Sequence, residues 1–269
     1  FAGYAGTVSL WTALTDRLDG RRVYVAGSLL AALASAGFGA AASGFVSALV
    51  FQVLLGVGIA GTYKAGLRLL SDRISGPHQS RYISFYTSFF GIGTALSLAA
   101  AGWIAAMQGW RAAFILSGIG PLLAGVWVWF SISQTPKKAK TDFSLATLFP
   151  LAAWRKVLSD RASAGYTLGY TVHCLELFGS RAWMVAFLAF SSGLHAGGSF
   201  PWQLPAIAAV VNLASVPASI LGNEVALRMG RRRWITIAMA GSGASGILLG
   251  FSAPWFWAVV LAILMVYAM

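Results

Sequence analysis

Three ionisable residues stand inside one apolar stretch, residues 163–190: His173, Glu176 and Arg181, with Glu176 near its centre. A charge at bilayer depth is disfavoured by about 2.5–3.5 kcal/mol on insertion scales, so such groups normally face a cavity or a partner and mark a functional site. His173 and Glu176 share a helical face by their i, i+3 spacing, and Tyr166, Gly169 and Ser180 extend that stripe. Burial favours the neutral form of a carboxylate and of an imidazole, whereas mutual pairing favours the charged forms. The pair can therefore exchange a proton near neutral pH, although a buried His–Glu hydrogen bond that only joins helices would use the same residues. Arg181 lies about 140° around a straight helix from Glu176, so pairing between them needs a bend at Gly179. A substrate anion or snorkelling toward the outer interface would otherwise satisfy it. Asn212 and Gln52 are further polar positions in apolar stretches, able to hydrogen-bond a solute or a neighbouring helix. The single Cys174 excludes a disulfide framework and reads as a packing residue. No metal-ligand cluster, nucleophile motif or phosphate-cradling glycine loop occurs, so no catalytic residue, metal or cofactor is expected and ATP-driven machinery is excluded for this chain.

The elements that hold these groups must live in lipid. Hydrophobic residues make up 58% of the 269 residues and charged ones only 10%, and the mean hydropathy is +0.75; a soluble domain carries about 25% charged residues. Apolar runs fall near residues 1–14, 23–42, 45–66, 82–106, 111–132, 163–190, 203–226, 234–251 and 254–269. Most approach the roughly 20 residues that cross a bilayer core of about 30 Å. Backbone polar groups in lipid must be satisfied within the segment, so the sequence predicts an all-α polytopic membrane bundle. Residue 1 is already within an apolar run and the chain stops within another, so a fragment of a longer protein is expected.

The net charge of +12 would suit a nucleic-acid partner only if the basic residues formed a face. They are sorted between connections instead. Arg17, Arg21, Arg22, Arg68, Arg73 and Arg81, then Lys137, Lys138, Lys140, Arg155, Lys156 and Arg161, then Arg228, Arg231, Arg232 and Arg233 lie in or beside every second one. The intervening connections carry only Arg111. This asymmetry assigns the basic loops to the cytoplasm and predicts a multi-pass protein of a bacterial inner (plasma) membrane, with lipids and no nucleic acid as partners. Trp202, Trp255 and Trp257 suit the outer aromatic belt.

The longest connection, residues 133–161, is basic from Gln134 to Lys140 and amphipathic from Leu145 to Leu158, as for a helix on an anionic leaflet or a disordered linker. It separates an expected N-terminal half, 1–132, from a C-terminal half, 162–269. Glycines within the spans (Gly56, Gly58 and Gly61; Gly91, Gly93 and Gly102; Gly241, Gly243 and Gly246) predict close helix approach. Pro205 and Pro217 can kink one span, and Glu224 beside Arg228 forms an i, i+4 pair at a helix end.

Two short basic connections carry a motif. Leu14-Thr15-Asp16-Arg17-Leu18-Asp19-Gly20-Arg21-Arg22 follows the first span, and Ala226-Leu227-Arg228-Met229-Gly230-Arg231-Arg232-Arg233 follows the seventh. The pair resembles the loop signature G-x-L-x-D-R-x-G-R-R of the major facilitator superfamily, which recurs once in each six-helix half. Thr12 stands where that family usually has Gly, one extra residue separates Asp16 from Gly20, and Leu227 replaces the second acid. Gln52 to Gly61 is similar to the R-x-x-x-G-x-G segment of the family's fourth helix, with Gln for Arg, and Trp110-Arg111-Ala112-Ala113-Phe114 to the W-R-x-x-F that opens its sixth. On this alignment the chain covers roughly the second to tenth helices.

The resemblance implies a major-facilitator-type fold of two pseudo-symmetric halves. It also implies a secondary transporter moving a small-molecule or ion substrate by alternating access, coupled to protons or a counter-solute. It makes Asp16, Arg17, Gly20, Arg21 and Arg22 a conformational-lock loop, with Arg73 as a partner for Asp16, although the charges satisfy topology as well. Proton-coupling or substrate roles fall to His173, Glu176, Arg181, Gln52 and Asn212. A polytopic membrane enzyme or sensor using the helices as a scaffold is the rival reading, and a channel a third.

Overall fold

Capping residues start several of the helices. In a computed structural model, which describes residues 1–74, 76, 79–134, 151–194 and 200–269, α1 (Ala2–Arg17) is followed by Asp19, whose carboxylate accepts from the Arg21 N–H at 3.1 Å and so caps α2 (Gly20–Ala41). Then come α3 (Phe45–Ser71), α4 (Gln79–Ser117), α5 (Ile119–Ser131), α6 (Leu151–Ser159), α7 (Arg161–Leu194), α8 (Leu204–Met229), α9 (Arg231–Ser252) and α10 (Trp257–Ala268). Asp160 caps α7 by accepting from the Ser163 N–H at 2.7 Å, and its bonds to Ser163 hold its carboxyl below the usual carboxylate range. Gly230, at φ 89°, ends α8 and starts α9 in a conformation that a side chain would strain. Pro205 sits in the first turn of α8, where its missing N–H leaves no bond unmade, so only Pro217 lies in the helix interior.

Among the described residues there is no strand, and six helical runs are long and apolar enough to cross a membrane. One of them, Gln79–Ser131, has 53 residues. A straight helix of that length would measure about 80 Å, more than twice a bilayer core. It is broken at Gly109, at φ 84° and ψ 167°, between the spans expected at 82–106 and 111–132. The end helices α1 and α10 are shorter, at 16 and 12 residues. The protein is thus an all-α, multi-pass helical bundle.

The chain divides into two compact units, Phe1–Gln79 with Ala100–Lys156 and Ser80–Ala99 with Val157–Met269. In the first, α2 is the central helix. Its buried residues are small apart from Val23 (Gly20, Gly27, Ser28, Ala31, Ala32, Ala34, Ser35 and Gly39), while bulky Leu33 and Phe130 are 62% and 82% exposed. Small residues inside and large apolar ones outside is the arrangement expected where lipid supplies no hydrophobic force between helices and close contact must do so. Gly27 crosses Gly58 and Gly61 of α3, and a Cβ on Gly58 would come within 2.5 Å of the Ala31 nitrogen. Gly93, Gly241 and Gly243 face open space, so the expectation of close approach does not extend to them.

The segment 111–131 runs antiparallel to α2. Arg111 donates to the carbonyls of Gly39 (3.2 Å) and Ala42 (3.0 Å), Ser35 donates to Phe114 O (2.8 Å), and Arg21 donates to Trp129 O (3.1 Å) while stacking 4.3 Å from its ring. Arg111 therefore satisfies the orphan carbonyls at the end of α2, and Trp110 and Phe114 pack around Phe38. In the second unit Met184, Leu188, Phe200, Ile207, Ala208, Val211, Val260 and Leu264 form a core shared by α7, α8 and α10. Residues Lys137, Lys138, Lys140 and the amphipathic stretch before Leu151 lie outside the described residues; Leu151–Ser159 is helical.

Candidate functional site

Helix α7 would be about 50 Å long if straight, and Glu176 sits near its middle. Its Oε2 lies 3.8 Å from His173 Nδ1, as the i, i+3 spacing predicts. Its Oε1 accepts a short hydrogen bond from the Ser242 hydroxyl of α9. The phenol of Tyr267, on α10, neighbours both Glu176 and Ser180. One carboxylate is thus gathered among groups from three helices of the same unit, with His173 the more open member of the pair at 49% against 29%. The Ser242 hydroxyl thus ties the Glu176 carboxyl of α7 to α9.

Arg181 does not turn toward Glu176. Its guanidinium stacks 4.8 Å from the ring of Phe90 on α4, and Phe90 meets Phe178 edge-on at 6.2 Å. Gly91 makes this possible: a Cβ there would lie 2.9 Å from Val216 and 3.0 Å from the Ser215 hydroxyl, so α4 lies tight against α8 and Phe90 is carried toward α7. Nη1 of Arg181 is buried with no hydrogen-bond partner. The ring contact covers the face of the guanidinium and supplies no acceptor for Nη1.

Asn212 is buried and donates to Ala208 O at 2.8 Å and to Met184 Sδ at 3.8 Å, so its amide is engaged in helix packing. Gln52 lies exposed on α3, in the first unit.

At the basic end of the first unit, Asp16 Oδ1 lies 3.4 Å from Arg68 Nη2, and Arg68 Nε bonds Asp72 at 3.0 Å. Arg73, expected beside Asp16, donates instead to Leu69 O (2.9 Å) and Ser133 O (2.8 Å). Arg68, five residues earlier in the chain, is the residue that pairs with Asp16. Arg17 ends α1, Gly20 opens α2 where a Cβ would meet Leu69 at 3.0 Å, Arg21 pairs with Asp19 at 3.4 Å, and Arg22 is exposed.

Glu224 is within electrostatic reach of Arg228, the expected i, i+4 partner, and its carboxylate is also held in a fork by Arg81, Nε to Oε1 at 2.8 Å and Nη2 to Oε2 at 2.9 Å, with Ser80 donating to Asn223 at 3.0 Å alongside. The planar guanidinium matches both oxygens, a geometry that an i, i+4 helix pair does not supply. Sequence reading missed Ser242, Tyr267, Phe90 and Arg81. Only Ser242, polar between two glycines in an apolar span, left a signal.

A helical bundle with basic ends, a mid-span carboxylate and a signature loop at the α1–α2 turn is consistent with one family, and the chain matches the description Major Facilitator Superfamily over residues 1–269. It belongs to the major facilitator superfamily. Similar superfamily proteins include the niacin transporter NiaP of Acinetobacter baylyi, 27% identical over 124 residues, or 46% of this chain and 27% of that protein. A probable 4-methylmuconolactone transporter of Cupriavidus pinatubonensis is 32% identical over 136 residues, or 45% of this chain and 31% of that protein. The matches thus cover less than a third of either relative's length. Both relatives carry transporter names.

Proposed function

We propose that this chain is part of a secondary transporter of a bacterial inner membrane, moving a small polar solute by alternating access and coupled to protons through Glu176. The observation that carries the reading is the Glu176 constellation, a carboxylate near the middle of α7 that contacts α9 through Ser242, faces His173 and neighbours Tyr267 of α10. A proton on Glu176 changes its contacts with Ser242 and His173, and so the contacts between α7 and its neighbours; a ligand shifts a conformational equilibrium only through such differential contacts. Residues 1–132 and 162–269 act as the two halves, joined by the 133–161 connection. Asp16, Arg68 and Asp72 hold the cytoplasmic end of the first half in one state. Niacin and 4-methylmuconolactone, from the relatives' names, are the first solutes to test.

The test compares pH-gradient-driven uptake with counterflow in proteoliposomes of the full-length protein. Glu176→Gln keeps the volume and a hydrogen-bonding head but removes the titration, so accumulation should vanish while exchange at equal pH survives. His173→Gln should shift the pH optimum and leave coupling intact. Intact accumulation by Glu176→Gln would exclude this residue as the proton carrier. Loss of folded protein in both variants would make the pair a structural clasp.

A further inference from the structure

We infer that Arg181, with Phe90 and Phe178, forms a subsite for a small organic monocarboxylate with a flat apolar body. The subsite deepens the transport reading, since it names the class of solute carried. Arg181 lies within about one turn of the midpoint of α7, where an uncompensated cation is disfavoured. The chain has seven acidic residues, and the six described ones are committed elsewhere. Glu176 bonds Ser242, Glu224 bonds Arg81, Asp16 and Asp72 flank Arg68, Asp19 caps α2 and Asp160 caps α7.

Phe90 covers one face of the guanidinium at 4.8 Å and leaves the N–H edge, where Nη1 is buried without a partner. A guanidinium edge offers parallel donors matched to the two oxygens of a carboxylate. A single guanidinium balances one negative charge, which favours a monocarboxylate over a phosphate dianion. The edge-on Phe90 and Phe178 rings, 6.2 Å apart at 85°, provide apolar surface for a planar body beside the carboxylate. The Glu176 group lies on another face of α7, so proton and solute have separate seats on one helix.

The test is thermal unfolding of the full-length protein in detergent with benzoate, its neutral analogue benzamide, or inorganic phosphate. Benzoate should raise the unfolding temperature in a concentration-dependent way and the other two should not. Arg181→Gln should weaken benzoate binding by about tenfold or more, Arg181→Lys should fall between it and wild type, and Phe90→Leu should weaken benzoate without admitting benzamide. If Arg181→Gln does not fold, Arg181→Lys and Phe90→Leu carry the test. Equal stabilisation by benzamide or phosphate, no stabilisation by benzoate, or undiminished benzoate binding in the Arg181 variants would overturn the subsite. Benzoate counterflow in proteoliposomes separates the two readings: binding without movement leaves the subsite standing and removes the transport reading, and movement of other solutes without benzoate binding does the reverse.

Discussion

Arg68 is held between two carboxylates, Asp16 of α1 at 3.4 Å and Asp72 at 3.0 Å, and so ties the end of α1 to the end of α3. The pair is partly exposed, and exposed ion pairs contribute about 0–1 kcal/mol. That is too little to hold a fold but enough to bias two conformations by up to about fivefold. Asp16→Asn is therefore expected to slow uptake severalfold while solute affinity, measured by equilibrium binding to the full-length protein, stays near wild type. Unchanged uptake would leave Asp16 with a topological role alone.

Among the elements, the crossing of α2 and α3 depends on the absence of side chains. A Cβ on Gly58 would run into the backbone of α2, with the Ala31 nitrogen at 2.5 Å and the Gly27 carbonyl oxygen at 2.8 Å. Because backbone cannot rotate aside as a long side chain can, Gly58→Ala should force the helices apart and cost about 1–3 kcal/mol, as overpacked cores do. Gly241→Ala, where a Cβ meets open space, is the matched control and should leave the unfolding temperature unchanged or slightly raised. Equal behaviour of the two variants in detergent unfolding would show that the α2–α3 contact has slack.

For the whole molecule, the structure gathers charges by end within each unit. In the first unit Asp16, Arg21, Arg68 and Arg73 lie with Trp129 and Ser133, while Arg111 lies with Gly39 and Ala42 at the opposite end of α2. In the second, Arg81 pairs with Glu224 on the helix that ends just before Arg231–Arg233, and Trp202 meets Trp257 edge-on at 6.1 Å on the other side. The positive-inside rule predicts that the arginine-rich ends face the cytoplasm. In a Cys174→Ser background, cysteines at Ser133 and Arg232 should react with an impermeant maleimide only from the cytoplasmic side, and cysteines at Ser43 and Trp202 only from outside. Reversed labelling would invert the orientation.

The sequence by itself determined what depends on local period and composition. The apolar runs gave the spans, the sorting of arginine and lysine gave the ends, and a three-residue spacing brought His173 to Glu176, because neighbours on one helix face need no tertiary information. The signature loop also stood in the sequence as written. Tertiary structure alone decided which distant groups meet: Ser242 on Glu176 across 66 residues, Arg81 on Glu224 across 143, Arg68 rather than Arg73 on Asp16, and Phe90 over Arg181. Several partners of suitable chemistry were open to each of these residues. Helix packing made the choice, because the glycine and alanine strips that let helices touch fix which turns come level, and so which polar side chains are within reach.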